Sequence, residues 1–142
     1  MNLNELYEGI KPATIVRLET INTLYENKIN EASVDEIIDR KEAHELTKHI
    51  RKSCHLVVDN ISTIHTLIED NLTNYSINRL NILDLCIIEL ACAELLYTNI
   101  KPRIIINEAL DISKVYTDTA NFHSVAFNNK LLDKIARSLG KL

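Results

Sequence analysis

The chain has no tryptophan, one methionine, two glycines, two prolines and three cysteines among 142 residues. Two glycines cannot supply the many tight turns of an all-β sandwich or barrel. Glycine and proline this scarce also exclude a collagenous or linker-rich chain. The cysteines, Cys54, Cys86 and Cys92, are odd in number and irregularly spaced. They make no disulfide framework and point to a reducing compartment. The longest apolar stretch, around residues 82–97, is interrupted by Asp84, Glu89 and Glu94 and is too short and too charged to span a bilayer. The first residues lack the basic-then-apolar layout of a signal peptide. A soluble, cytoplasmic protein with no membrane partner is the expectation.

What is present is aliphatic: 20 isoleucines and 19 leucines, with 46% hydrophobic residues. That suffices for one core without metal or disulfides. The net charge is −4 and it is uneven. Residues 1–98 carry 9 basic and 16 acidic side chains, residues 99–142 carry 7 and 4, so a basic C-terminal third follows an acidic body.

The periodicity is helical throughout, so the fold class is all-α. Residues 1–10 read as a short leader. Pro12 suits the first position of a helix, and Ile15, Leu18, Ile21, Tyr25 and Ile29 follow as one stripe. Ser33 with Glu36 forms a capping-box pattern before a short helix. Residues 40–71 read as one amphipathic helix, with Ala43, Leu46, Ile50, Cys54, Val57, Ile61, Ile64 and Ile68 inside an arc of about 80°. The polar cluster Asn71, Thr73, Asn74, Ser76 and Asn78 marks a turn. The helix expected at 77–98 is apolar nearly all round and belongs in the middle of a bundle. Its three carboxylates must reach an edge or a partner, because an unpaired buried carboxylate is costly. Helices at 103–116 and 120–139 complete the chain, separated by Thr117-Asp118-Thr119 and closed by Gly140.

Few residues suggest catalysis. His44 and His49 are five apart and miss a common helical face by about 140°, which disfavours zinc. Cys86 and Cys92 diverge by about 120° and read as small core residues. Cys54 and His55 are neighbours on a helix and point apart. No glycine-rich phosphate loop and no paired acids for acid–base work stand out. No catalytic residue, metal site or cofactor is expected, and a binding protein is favoured over an enzyme. Arg40, Lys41, His44, Lys48, Arg51, Lys52 and His55 share an arc of about 120° that suits an RNA backbone, an acidic partner or simply solvent.

From residue 80 onward the chain resembles the NusB family of bacterial transcription antitermination factors. Three blocks carry the resemblance: Glu94-Leu95-Leu96-Tyr97, the run Pro102-Arg103-Ile104-Ile105-Ile106-Asn107-Glu108-Ala109-Leu110, and Phe127-Asn128-Asn129-Lys130-Leu131-Leu132-Asp133-Lys134. The resemblance implies a single domain of about seven helices in two small packed helical bundles, divided near residues 11–73 and 74–142. It implies pairing with NusE, also a small-subunit ribosomal protein, and binding of boxA RNA in nascent ribosomal RNA transcripts. It further implies support of read-through by the RNA polymerase elongation complex with other Nus factors. An interaction-only member that holds NusE with little RNA affinity is the alternative, and a homodimer is left open. A third reading, the front domain of an RNA methyltransferase, would need a nucleotide-binding domain that these residues do not contain.

Carried over residue by residue, the resemblance offers Lys11, Arg17, Tyr25, Lys101, Arg103, Phe127 and Asn129 as RNA contacts. Arg17 alone falls on an arginine position of the family's first-helix segment; Ala13, Thr14 and Ile15 stand at others. Leu24-Tyr25 matches the end of that segment. Phe127 can stack on an unpaired base or be buried between helices. Lys130 stands where the family has glycine. Asp84 and Glu94 are the candidate NusE contacts, with Glu89 and Ala93 standing where the family has arginine and tyrosine.

Overall fold

The computed structural model describes residues 2–73, 76–116 and 122–142. Among the described residues, eight α-helices and one 3-10 turn run in the order α1 (Leu3–Leu6), α2 (Pro12–Ile29), α3 (Val34–Asp39), α4 (Thr47–Val58), α5 (Ile61–Asn71), the turn Ile77–Arg79, α6 (Ile82–Tyr97), α7 (Pro102–Tyr116) and α8 (Phe122–Ser138). No strand occurs among the described residues. The expected turn at 117–119 and residues 120 and 121 of the last helix lie outside them, as does Asn74 of the polar cluster.

Local chemistry sets most helix ends. Pro12 opens α2 as its first residue. The Ser33 hydroxyl accepts from the Glu36 N–H at 3.1 Å and starts α3. Asn81 caps α6 by accepting from Leu83 N–H at 2.9 Å. After α8, Gly140 adopts φ +70°; Lys141 N–H donates to Ala136 O and Gly140 N–H to Arg137 O. This pair of bonds satisfies carbonyls the helix would otherwise leave open.

The single helix expected over 40–71 is two helices behind an irregular segment. Residues 40–46 leave the helical path: His44 N–H donates to Thr47 Oγ1, and Leu46 N–H donates to His44 Nδ1. A second break falls at Asn60, whose Nδ2 donates back to Leu56 O at 2.9 Å. Asparagine competes with the helical backbone through such bonds. The apolar arc misses the break because it keeps its phase across it: Ile50, Cys54 and Val57 on α4 and Ile64 and Ile68 on α5 are all buried.

Helix α6 is the axis of the molecule, packing against α2, α4, α5, α7 and α8. Eleven of its residues are buried, including all three of its carboxylates. Residues five apart on a helix turn by about 140°, so the three acids point in different directions. Asp84 accepts from Asn128 of α8 at 3.0 Å. Glu89, fully buried, meets Lys28 of α2 at 2.8 Å and His65 of α5. Glu94 meets Arg17 of α2. The partners expected for these acids are thus intramolecular, and they lock α6 to three of its neighbours.

Candidate nucleic-acid interface

Helices α2 and α7 are tied by three long-range contacts, one of them the Arg17–Glu108 pair. Thr14 Oγ1 donates to Glu108 at 2.7 Å, and Tyr116 OH donates to Asn22 at 2.8 Å. From the first contact to the second, the chain advances eight residues on each helix, so the two run parallel. Their N-terminal ends therefore sit at the same end of the molecule. Lys11, just before α2, and Lys101 and Arg103, flanking the first residue of α7, are all exposed there. Among the described residues none of these three cations has an ion-pair partner. Exposed Ile10, Ile100, Ile104 and Tyr97 flank them in sequence. Lys141 Nζ donates to Leu95 O near the C-terminus of α6, a favourable place for a cation at the negative end of the helix dipole.

Arg17 does not join that exposed set. It is 8% exposed, and its guanidinium is held by two carboxylates. Nε and Nη2 approach Glu94 at 3.0 and 2.8 Å, and Nη1 approaches Glu108 at 2.9 Å. This two-pronged geometry is what a guanidinium offers a carboxylate. Burial opposes the charge, and the bonds and charges of Glu94 and Glu108 more than offset it, so Arg17 stays protonated. Glu94 is thereby turned inward, and so is Asp84, which sits beneath α8. Both acids therefore already serve internal contacts, Glu94 with Arg17 and Asp84 with Asn128.

Tyr25 lies on α2 two turns beyond Arg17 and is 37% exposed. Phe127 of α8 is exposed to the same degree, which leaves part of its ring open to a stacking base. Asn129 beside it is exposed. Between them in sequence, Asn128 is fully buried: its Nδ2 donates to Asp84 at 3.0 Å and stands 3.3 Å from Ser113 Oγ of α7. Sequence reasoning missed this residue. The signal was a polar residue on the inward phase of α8, in step with Leu131, Leu132 and Ile135. Asn128 anchors α8 to α6 and α7 and leaves Phe127 and Asn129 on the outward side.

The basic arc of residues 40–55 is largely neutralised. Arg51 is held by Asp35 and Asp39 at 2.6 Å each, and His55 by Asp35 and Asp59. Arg40 and Lys41 precede α4 rather than lying on it, 3.8 Å from Glu36 and 3.9 Å from Glu19. Only Lys48 and Lys52 of the arc's lysines and arginines lack an ion pair among the described residues. The three cysteines are buried. Burial pushes the Cys54 and Cys86 thiols up to about 12 and raises Cys92 as well, which makes them poor nucleophiles. Among the described residues no three His, Cys, Asp or Glu side chains gather as a metal cage, and no helix is long and apolar enough to cross a membrane.

Comparison with known proteins gives this surface a context. The model of the NusB family matches residues 14–137. The transcription antitermination protein NusB of Listeria innocua is 32% identical over 121 residues, covering 84% of this chain and 92% of its own. That of Campylobacter jejuni subsp. doylei is 32% identical over 127 residues, covering 87% and 94%. Among solved structures, T. maritima NusB superposes with a TM-score of 0.76 at 30% identity, over 89% of this chain and 92% of that one. A structure of antitermination factors NusB and NusE in complex with dsRNA matches with a TM-score of 0.75 at 21% identity, over 89% and 97%; at that identity the match speaks for the fold. The family model runs from the first turn of α2 through nearly all of α8 and includes the start of α7 with Lys101 and Arg103, and the chain belongs to the NusB family.

Proposed function

We propose that this chain is a transcription antitermination factor that binds boxA-type RNA together with NusE and supports read-through by RNA polymerase on ribosomal RNA operons. The observation that carries this reading is the shared end of α2 and α7. There Lys11, Lys101 and Arg103 stand exposed and, among the described residues, without ion pairs, in a chain whose relatives are antitermination proteins. Three exposed cations at one end of the molecule suit the phosphates of a single strand, and phosphate contacts supply most of the affinity and its salt dependence. Tyr25, Phe127 and Asn129 are the candidate base contacts, the rings by stacking and the amide by hydrogen bonding.

Arg17, Asp84 and Glu94 enter this proposal as positioning residues. Arg17 and Glu94 hold α2 against α6 and, through Glu108, against α7. Asp84 with Asn128 fixes the face of α8 that carries Phe127. The division near residues 11–73 and 74–142 belongs to the same proposal, with the RNA edge assembled from both parts. So do the contacts to the elongation complex and its other Nus factors, the cytoplasmic location and the absence of catalysis.

The test is a titration of fluorescent boxA RNA with this protein, alone and mixed with NusE from the same organism, at two salt concentrations. Tight binding that needs both proteins and weakens with salt is expected. Lys101→Ala and Arg103→Ala should each flatten the logarithmic salt slope by about 0.7 if each contacts one phosphate. Association of the two proteins without any response of the RNA would replace this reading with an interaction-only adaptor.

A further inference from the structure

On the side of α2 away from α7, the N-terminal arm lies across a cleft bounded by α2, α3 and the start of α4. The cleft holds about 690 Å³, within the range of about 300–1,000 Å³ that small-molecule sites occupy. Tyr7 OH pins the arm from one side by donating to Glu19 Oε2 at 2.7 Å. His44 pins it from the other. Its Nδ1 accepts from Leu46 N–H, so Nε2 carries the proton and donates to Asn4 Oδ1 at 3.0 Å. Both ring nitrogens of His44 are thus engaged.

The remaining charges in the cleft are three carboxylates and one ammonium. Glu19, 7% exposed, forms the inner wall. Its Oε2 is satisfied by Tyr7 and, at 3.4 Å, by Asn22. Its Oε1 has no hydrogen bond among the described residues, and Lys41 Nζ stands 3.9 Å away. Glu42 and Glu45 lie at the exposed rim. Leu3, Leu6, Ile38 and Ile50 supply apolar lining, and Asn2, Asn4, Thr23 and Thr47 supply uncharged polar lining.

We propose that this cleft binds an aliphatic diamine or polyamine, one ammonium on Glu19 Oε1, the methylene stem against the apolar lining and a second ammonium between Glu42 and Glu45. A carboxylate with Tyr7 on one oxygen and no hydrogen bond to the other among the described residues is a good ammonium acceptor. The excess of acid over base disfavours an anion, and Leu3, Leu6, Ile38 and Ile50 favour a ligand with a methylene stem over a small inorganic cation. Lys41 is the competitor: the ligand's ammonium takes its place at Glu19 while Lys41 swings into solvent.

Isothermal titration of the full chain with putrescine and with spermidine tests this, with butane-1,4-diol as the uncharged control. One saturable site is expected for the amines and none for the diol. Glu19→Gln should weaken binding by about tenfold or more, since a neutral amide replaces a charged acceptor. Lys41→Met should tighten it by roughly fivefold, the Coulomb energy of one charge about 4 Å away near water being about 1 kcal/mol. Absence of saturable heat at millimolar amine overturns the proposal. So does equal affinity in wild type, Glu19→Gln and Lys41→Met, which would mean diffuse attraction of a cation to an acidic chain. Circular dichroism checks that Glu19→Gln folds. If it does not, Lys41→Met decides alone, and unchanged or weaker binding in that exposed variant overturns the site.

Discussion

Replacing Arg17 with methionine keeps much of the side-chain volume and removes the charge that Glu94 and Glu108 share. Glu94 loses its guanidinium partner while its side chain remains 9% exposed. Glu108 is less buried, at 16%, and keeps the Thr14 hydroxyl. Breaking a buried pair by removing one partner typically costs about 3–5 kcal/mol, because the remaining charge stays buried. With the stranded charge mainly on Glu94, a loss near 3 kcal/mol is expected. At about 3 °C per kcal/mol for a domain of this size, the melting temperature should fall by roughly 10 °C. The assay is thermal and urea denaturation followed by circular dichroism.

The loss carries a pH signature. In Arg17→Met a buried carboxylate is left without its counter-charge, and burial disfavours the charged form. The variant's deficit should therefore be largest at neutral pH and shrink in acid. The double variant Arg17→Met with Glu94→Leu should recover most of the stability, because a buried pair replaced on both sides by apolar groups is often neutral. A single-variant loss below about 1 kcal/mol, the ordinary worth of an exposed pair, would refute the internal role of Arg17. A double variant no better than the single would refute it too.

Asn128→Ala should cost about 1–3 kcal/mol by urea denaturation, since Asp84 loses its buried donor. Asn128→Asp should cost more at neutral pH and less in acid, where one of two facing carboxylates protonates. The buried thiols should react slowly with Ellman's reagent in the native protein and quickly in urea; fast native labelling would contradict their burial. His55 should titrate above 6.5 by NMR, raised by its hydrogen bonds to Asp59 and Asp35. A raised pKa means its contribution is fully present below the unfolded value and is lost as pH rises through the folded one. His55→Asn should remove that part of the pH dependence of stability.

What the sequence determined by itself is local. The all-helical class, the start of α2 at Pro12, the Ser33 cap and the left-handed stop at Gly140 each depend on a few adjacent residues. The central place of α6 follows from its composition, because a helix apolar on every side can satisfy itself only among neighbours. The family blocks were legible for the same reason: each is a short contiguous run. The exposed cations Lys11, Lys101 and Arg103 could be named from sequence, since helix-start charges are seldom buried.

Tertiary structure decided which charges are spent and which remain free. Arg17 and Glu94 are 77 residues apart, and Arg17 and Glu108 are 91 apart. No local pattern marks an arginine on a helix as paired rather than exposed. Asp84 and Asn128 meet across 44 residues, and the basic arc loses Arg51 to acids of α3 that lie 12 and 16 residues away. The break at Asn60 was hidden because the apolar phase runs through it unchanged. Periodicity reports which face of a helix is buried. Only the packed helices decide which polar groups on that face find one another, because pairing depends on distances in space that a one-dimensional pattern does not contain.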